Sequence, residues 1–213
     1  MNNLQTKSLI NNWIVASWNE YVHTISNPTY EQAKGYYYKG HMRIEMSPVS
    51  FDHDKDQVVI IFAVNLFAAL KGIPATGLDT TTLRKTGVRE CQPDVSYYLS
   101  DRAQAIPSGT GIVNLDQYPA PNLVIEIART SLLDDVGTKR ALYEELGVSE
   151  YWMVDVQNAQ LLAYAVADQG SQRIQTSQVL PGLTLAVVEE ALRRSRETDQ
   201  SQVGTWLLNQ FQQ

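Results

Sequence analysis

Cysteine occurs once in the 213 residues, at Cys91, so an intrachain disulfide framework is excluded and a reducing compartment is the expected setting. Long apolar runs are missing as well. The nearest, VVIIFAVNLFAAL at 58–70, falls short of the roughly 20 residues that span a bilayer and suits a buried helix better. The opening MNNLQTKSLINNW lacks the basic stretch and apolar core of a secretion signal, so a cytoplasmic protein without a membrane partner is expected. Positive charge is scarce: 17 Lys and Arg stand against 23 Asp and Glu, a net charge of −6. Phosphate contacts need cations, so this balance argues against a tight, non-specific DNA binder. It leaves room for a local basic surface, or for an enzyme that meets its substrate briefly. His23, His41, His53 and Cys91 are too scattered for a zinc site. Gly109 and Gly111 lack the strand-to-helix setting and lysine of a phosphate loop. No internal repeat or heptad pattern is present.

What is present is globular composition, 44% apolar and 19% charged, in a chain long enough for one substantial core. Residues 1–34 read as a polar, partly helical lead-in, with NPTYEQAKG giving a turn, a short helical piece and a stop at Gly35. GYYYKGHMRIEMSP (35–48) reads as two short strands around a Lys39-Gly40 turn, with His41, Arg43 and Glu45 on one face and Met42, Ile44 and Met46 on the other. Residues 50–54 offer caps for a helix that runs to about Leu70 and stops at Gly72 and Pro74. The threonine-rich stretch 75–90 reads as strand and turn, QPDVSYYLS as a strand, and 100–120 as the longest irregular stretch. NLVIEIA (122–128) is apolar on both faces, as a central strand covered by helices must be. A helix over 134–146 and the strand EYWMVDV follow, and QLLAYAV pairs back through a Gln157-Asn158 turn. Strand, helix, strand in this order is the crossover signature of an α/β fold. LPGLTLAVVEEALRR gives a turn and helix, followed by a polar tail with a short helix near Trp206. The expected division is a lead-in (1–34), one core domain (35–188), and a C-terminal helix and polar tail (189–213).

Two charged residues do not fit this apolar pattern. Glu126 sits in the middle of the apolar strand, where a carboxylate must be paired, neutralised or bound to a cation. On the next helix, Lys139 falls within the apolar arc of Val136, Leu142, Tyr143 and Leu146, facing the sheet that holds Glu126. A buried structural ion pair accounts for Glu126 equally well, and a lysine that snorkels to solvent is the plain reading of Lys139, which its central place in the arc fits less comfortably. Asp94 follows Pro93 at a strand opening and shares a face with Gln92, Ser96 and Tyr98, and Glu45 is a fourth acidic candidate. Two or three carboxylates and an inward lysine around one sheet are what phosphodiester hydrolysis needs. Oxygen ligands suit a hard divalent cation that keeps several waters, and the ammonium orients hydroxide or stabilises charge developing at phosphorus.

These residues carry a resemblance. QPDVSYY (92–98), GHMRIEMSPVSFDHD (40–54), PNLVIEIARTSLLDDVGTKRALYEELGVSEYWMVD (121–155) and LPGLTL (180–185) are similar to a family of restriction-endonuclease-like proteins abundant in cyanobacteria, within the PD-(D/E)XK nuclease superfamily. The resemblance spans about 30–185, and the long third block is its specific part. It implies an α/β, restriction-endonuclease-like fold with a mixed central β-sheet flanked by helices. It implies Asp94 and Glu126 as metal ligands for Mg²⁺ or Mn²⁺, and Glu45 as a further acidic partner. Where the superfamily pattern has lysine two residues after the glutamate, this chain has Ala128, and Lys139 on the next helix takes that place. His53 resembles a recurrent family histidine that contacts phosphate or assists the site, with helix capping an equal reading. Tyr143 either hydrogen-bonds near the site or packs. Asp134 and Asp135 read as caps, and Tyr151-Trp152 as core. The implied activity is Mg-dependent endonucleolytic cleavage of double-stranded DNA, with a homodimer a convenient way to cut both strands. The competing reading is a catalytically silent nucleic-acid-binding or interaction protein on the same scaffold.

Overall fold

Lys39 and Gly40 both take positive φ, 46° and 73°. That pairing gives a tight turn whose twist matches the strands it joins. It connects β2 (Lys34–Tyr38) to β3 (His41–Glu45). The computed structural model describes residues 10–46, 50–128, 135–167 and 170–213. Ser47 and Pro48, with Asp134 and the side chain of Asp135 read above as caps, lie outside the described residues. The chain divides into two compact units.

The first unit takes Met1–Val49, Thr81–Gln92 and Gly109–Tyr118. Its sheet adds β1 (Ile14–Val15), β5 (Thr82–Lys85), β6 (Arg89–Cys91) and β8 (Ile112–Asn114) to the hairpin, in the order β1-β3-β2-β6-β5-β8. The lead-in holds a true helix, α1 (Trp18–Ile25), closed by a capping box between Ser17 and Glu20. Gly35 does not stop a helix. It lies within β2, where a Cβ would run into the Tyr21 hydroxyl, so the close approach of α1 is what requires glycine there. The stretch read as irregular contributes β8, which runs parallel to β5.

The second unit takes Ser50–Thr80, Pro93–Ser108 and Pro119–Gln213. Its mixed sheet contains β4 (Ala75–Asp79), β7 (Val95–Leu99), β9 (Leu123–Ala128), β10 (Glu150–Asp155), β11 (Gln160–Ala167) and β12 (Gly170–Ile174), in the order β12-β11-β10-β9-β7-β4. β9 and β10 run parallel, joined through a π-helical turn (Asp135–Lys139) and helix α3 (Arg140–Leu146), and the other neighbours are antiparallel. Helix α2 (Phe51–Lys71) has the expected start and stop: the Ser50 side chain accepts from His53 N, and Gly72 closes the end in the left-handed region.

Alternation along the strands gives this sheet two different faces. Val95, Tyr97, Leu123, Ile125, Ile127, Trp152 and Val154 form an apolar face against α2, α4 (Leu185–Glu197) and α5 (Gln200–Phe211). The segment read as a polar tail is therefore mostly helix, fixed by buried Val203, Leu207 and Phe211 at four-residue spacing. Asp94, Ser96, Val124, Glu126, Tyr151 and Met153 point to the opposite face, which α3 covers. Tyr151 and Trp152 are both fully buried, as core residues should be. No described helix is long and apolar enough to cross a membrane.

Candidate active site

The antiparallel register of β7 and β9 pairs Val95 with Ile125, so one step further Asp94 stands opposite Glu126. Directly opposed side chains on one face have Cβ atoms about 5 Å apart. Asp94 is held there by the strand itself, because Ile127 N donates to its Oδ2 at 2.7 Å. Both carboxylates are almost fully buried, Asp94 3% exposed and Glu126 2%. Two negative charges at that spacing repel by about 3 kcal/mol even at an effective dielectric of about 20, so each must find compensation.

Compensation for Glu126 comes from the crossover helix. Lys139 Nζ lies 3.5 Å from Glu126 Oε2, and the Tyr143 hydroxyl donates to Oε1 at 2.6 Å. Lys139 is 1% exposed, so it does not snorkel. Of the two readings of Tyr143, the hydrogen-bonded one holds, and its ring also packs on Tyr151 with centroids 4.9 Å apart. The π-helical turn places Lys139 at its last residue, directly before regular α-helix begins. Such turns add a residue to the helical cycle and re-aim the side chain that follows.

His53, in the first turn of α2, brings its Nε2 to 3.3 Å from Asp94 Oδ1 and its Nδ1 to 3.2 Å from Asp54. Its backbone N–H meanwhile donates to the Ser50 cap, so it serves the helix start and the carboxylate together. With a side chain 19% exposed, it is more open to solvent than the other three. Glu45 stands in the first unit, where Oε1 accepts from Arg43 Nη2 at 3.0 Å. The second unit thus brings together Asp94, Glu126, Lys139, Tyr143 and His53 from β7, β9, α3 with its preceding turn, and α2. Another buried carboxylate escaped the sequence reading. Glu150 opens β10 and accepts from Trp152 Nε1 and the Ser177 hydroxyl, each at 2.9 Å, and from the backbone N–H of Val179 at 3.0 Å. These bonds tie down the turn before α4, and its position at a strand opening resembled that of any surface glutamate.

Asp94 and Glu126 offer hard oxygen donors on one face. With one ammonium beside them, the three groups carry a net negative charge, which suits a cation that retains water ligands. Among the described residues no group of three or more His, Cys, Asp or Glu side chains converges to hold a metal ion.

Comparison with known proteins bears on the fold and the family. One solved structure, described as "a putative nuclease belonging to DUF820 from Anabaena variabilis ATCC 29413", superposes with a TM-score of 0.61. The match covers 83% of this chain and 98% of that one at 16% identity, a likeness of fold. No curated protein matches the chain. The family model for Uma2, described as "Putative restriction endonuclease", matches residues 18–200, nearly the whole chain, and so the protein belongs to the Uma2 family.

Proposed function

We propose that the protein is a metal-dependent endonuclease that hydrolyses phosphodiester bonds in DNA, with Asp94, Glu126 and Lys139 at its centre. The observation that supports this most is the direct opposition of two buried carboxylates with a buried ammonium 3.5 Å from one of them. A structural ion pair with Lys139 needs only Glu126, and Asp94 adds a second buried carboxylate on the same face. Asp94 and Glu126 would hold Mg²⁺ or Mn²⁺, which supplies Lewis acidity and a water of lowered pKa. The chain's own groups do the rest. Lys139 orients the attacking water or stabilises charge gathering on the phosphate oxygens. Tyr143 fixes one oxygen of Glu126 so that the other faces the lysine, and His53 steadies Asp94. The fold family's substrate suggests DNA, and two strands would be cut most simply by two copies.

One observation favours a second reading, a catalytically silent nucleic-acid-binding protein on a nuclease scaffold. Asp94, Glu126 and Lys139 are almost sealed from solvent and already engaged, and the described residues assemble no three-donor set. Plasmid nicking with Mg²⁺ and with Mn²⁺ separates the two. We expect cleavage by the wild type and a loss of about a hundredfold or more in Glu126→Gln and Lys139→Ala, the scale on which removal of one preorganised charge stabiliser acts. Equal rates in all three proteins would reject the site. DNA binding without cleavage would establish the silent reading.

A further inference from the structure

Lys139 and Arg140 are consecutive at the junction of the π-helical turn and α3, yet they reach in different directions. Lys139 points to Glu126, and the Arg140 guanidinium lies 4.8 Å from the ring centre of Tyr164 on β11. The same ring has a second guanidinium against it, that of Arg173 on β12, at 5.9 Å. Register explains the meeting. Val124, Tyr151, Tyr164 and Arg173 are successive partners across β9, β10, β11 and β12, so they project on one face, the face that carries Glu126.

This arrangement is unusual for an acidic chain. Two guanidiniums gather on one aromatic ring, where like charges would otherwise separate. The attraction of the ring face for cations holds them together. Arg173 is exposed on its strand, and its hydrogen bond goes to the carbonyl of Leu161 at 3.3 Å. Among the described residues it makes no ion pair with a carboxylate. Glu144 lies 3.4 Å from Arg140 Nε and also accepts from the Ser171 hydroxyl, so the contacts given for the described residues set one carboxylate against the two guanidiniums. Forked donors held together in this way, Arg173 exposed and Arg140 half-buried, match the oxygens of phosphates along a polymer.

We propose that Arg140 and Arg173, set on Tyr164, bind the phosphates of a DNA strand on the side of α3 away from Glu126. Strands in a sheet lie about 4.8 Å apart, which places Tyr164 and Arg173 roughly 10 and 14 Å from β9. At a rise of about 3.4 Å per nucleotide, that is three to four steps along a strand from the phosphodiester at the carboxylates. Lys139 and Arg140 then divide the work of one helical turn between the scissile phosphate and its downstream or upstream neighbours. The inference rests on the nucleic-acid reading above, which the hydrolytic and the silent alternatives share.

The test is fluorescence anisotropy with a labelled DNA duplex in EDTA, where cleavage cannot interfere. Arg140→Gln/Arg173→Gln should bind roughly tenfold more weakly near 50 mM salt, and the slope of log K against log salt should flatten by about two, close to one unit per lost phosphate contact. Arg173→Gln alone, a change at an exposed position, should flatten it by about one, so the result stands even where the double variant folds poorly. Tyr164→Phe keeps the ring and should bind as the wild type does, and Tyr164→Leu should weaken binding severalfold. Lys71→Gln/Arg193→Gln makes the same charge change elsewhere on the second unit and should leave both affinity and slope unchanged. Wild-type affinity in the Arg140/Arg173 variants, an equal loss in the Lys71/Arg193 control, or no affinity of the wild type for DNA would each overturn the proposal. Plasmid left uncut by a wild type whose DNA binding depends on the arginines would reject hydrolysis and uphold the phosphate track. Cleavage with arginine-independent binding would do the reverse.

Discussion

At the scale of single residues, the buried polar groups of the second unit's sheet are held by short, specific bonds, and their removal has a calculable cost. Tyr143 gives its hydroxyl proton to Glu126 at 2.6 Å with both residues shielded from water. Tyr143→Phe keeps the ring on Tyr151 and removes only that donor. Leaving a buried acceptor short of one bond should lower the unfolding free energy in urea by about 1–3 kcal/mol. Cleavage should fall but survive, since Lys139 and both carboxylates stay. A loss of cleavage equal to that of Glu126→Gln would instead assign the phenol a direct part in the chemistry. Lys139 and Glu126 were legible because charge inside an apolar pattern needs no tertiary information to stand out. The helical wheel that selected Lys139 assumed regular α-helix from residue 134, whereas 135–139 form a π turn. The reading still found Lys139 because Tyr143, the residue that shares its target, lies in the regular part. Arg173 and Tyr164 were not legible: each is ordinary on its own strand, and only the register of β11 on β12 pairs them.

Whole elements obey capping chemistry more closely than their composition suggests. Helix α5 reads as polar tail because Gln, Ser, Thr and Asn make up half of it, yet Asp199 closes its N-terminus by accepting from the backbone N–H groups of Ser201 and Gln202, each at 3.0 Å. Hydrogen bonds from the Ser201 and Gln202 side chains, with those from the backbone, hold the Asp199 carboxyl well below the ordinary aspartate value. A folded-state pKa below the unfolded one means that the charged form is favoured by folding. Its contribution is thus present above the ordinary value of 3.8 and is lost as pH falls through the lowered value. Asp199→Ala should lower the melting temperature at neutral pH. Asp199→Asn retains a capping oxygen and should lose less, and neither variant should show the acid-side decline that this group adds to the wild type. Parallel acid limbs in all three melting curves would contradict this account. Helix α2 and the strands β7, β9 and β10 were legible because their apolar runs and stop signals are local. Helix α1 and strand β8 were not. The first is eight residues long and secured by its capping box, and the second is three residues whose pairing to β5 spans distant sequence.

On the scale of the whole chain, the sheet of the first unit shows the limit of reading from sequence. It draws strands from three separated segments, and non-local pairing leaves no trace in any window of residues. The mixed sheet of the second unit and its flanking helices were expected, because parallel strands joined by a helix leave both a period and an order in the sequence. The cation proposed for Asp94 and Glu126 has a consequence for that entire fold. The two carboxylates come from strands β7 and β9, which are brought together only when the chain is folded. A cation that binds the native pair and not the unfolded chain must raise stability by mass action, about 2.7 kcal/mol at a hundredfold excess over its dissociation constant. For a protein of this size each kcal/mol moves the melting temperature by about 2–4 °C, so saturating Mg²⁺ or Mn²⁺ should raise it by roughly 5–10 °C. Asp94→Asn and Glu126→Gln should each abolish most of that rise, whether or not the protein cleaves DNA. If both variants gained as much as the wild type, the ion would be binding elsewhere, and the opposition of Asp94 to Glu126 would be an ion-pair arrangement of the core alone.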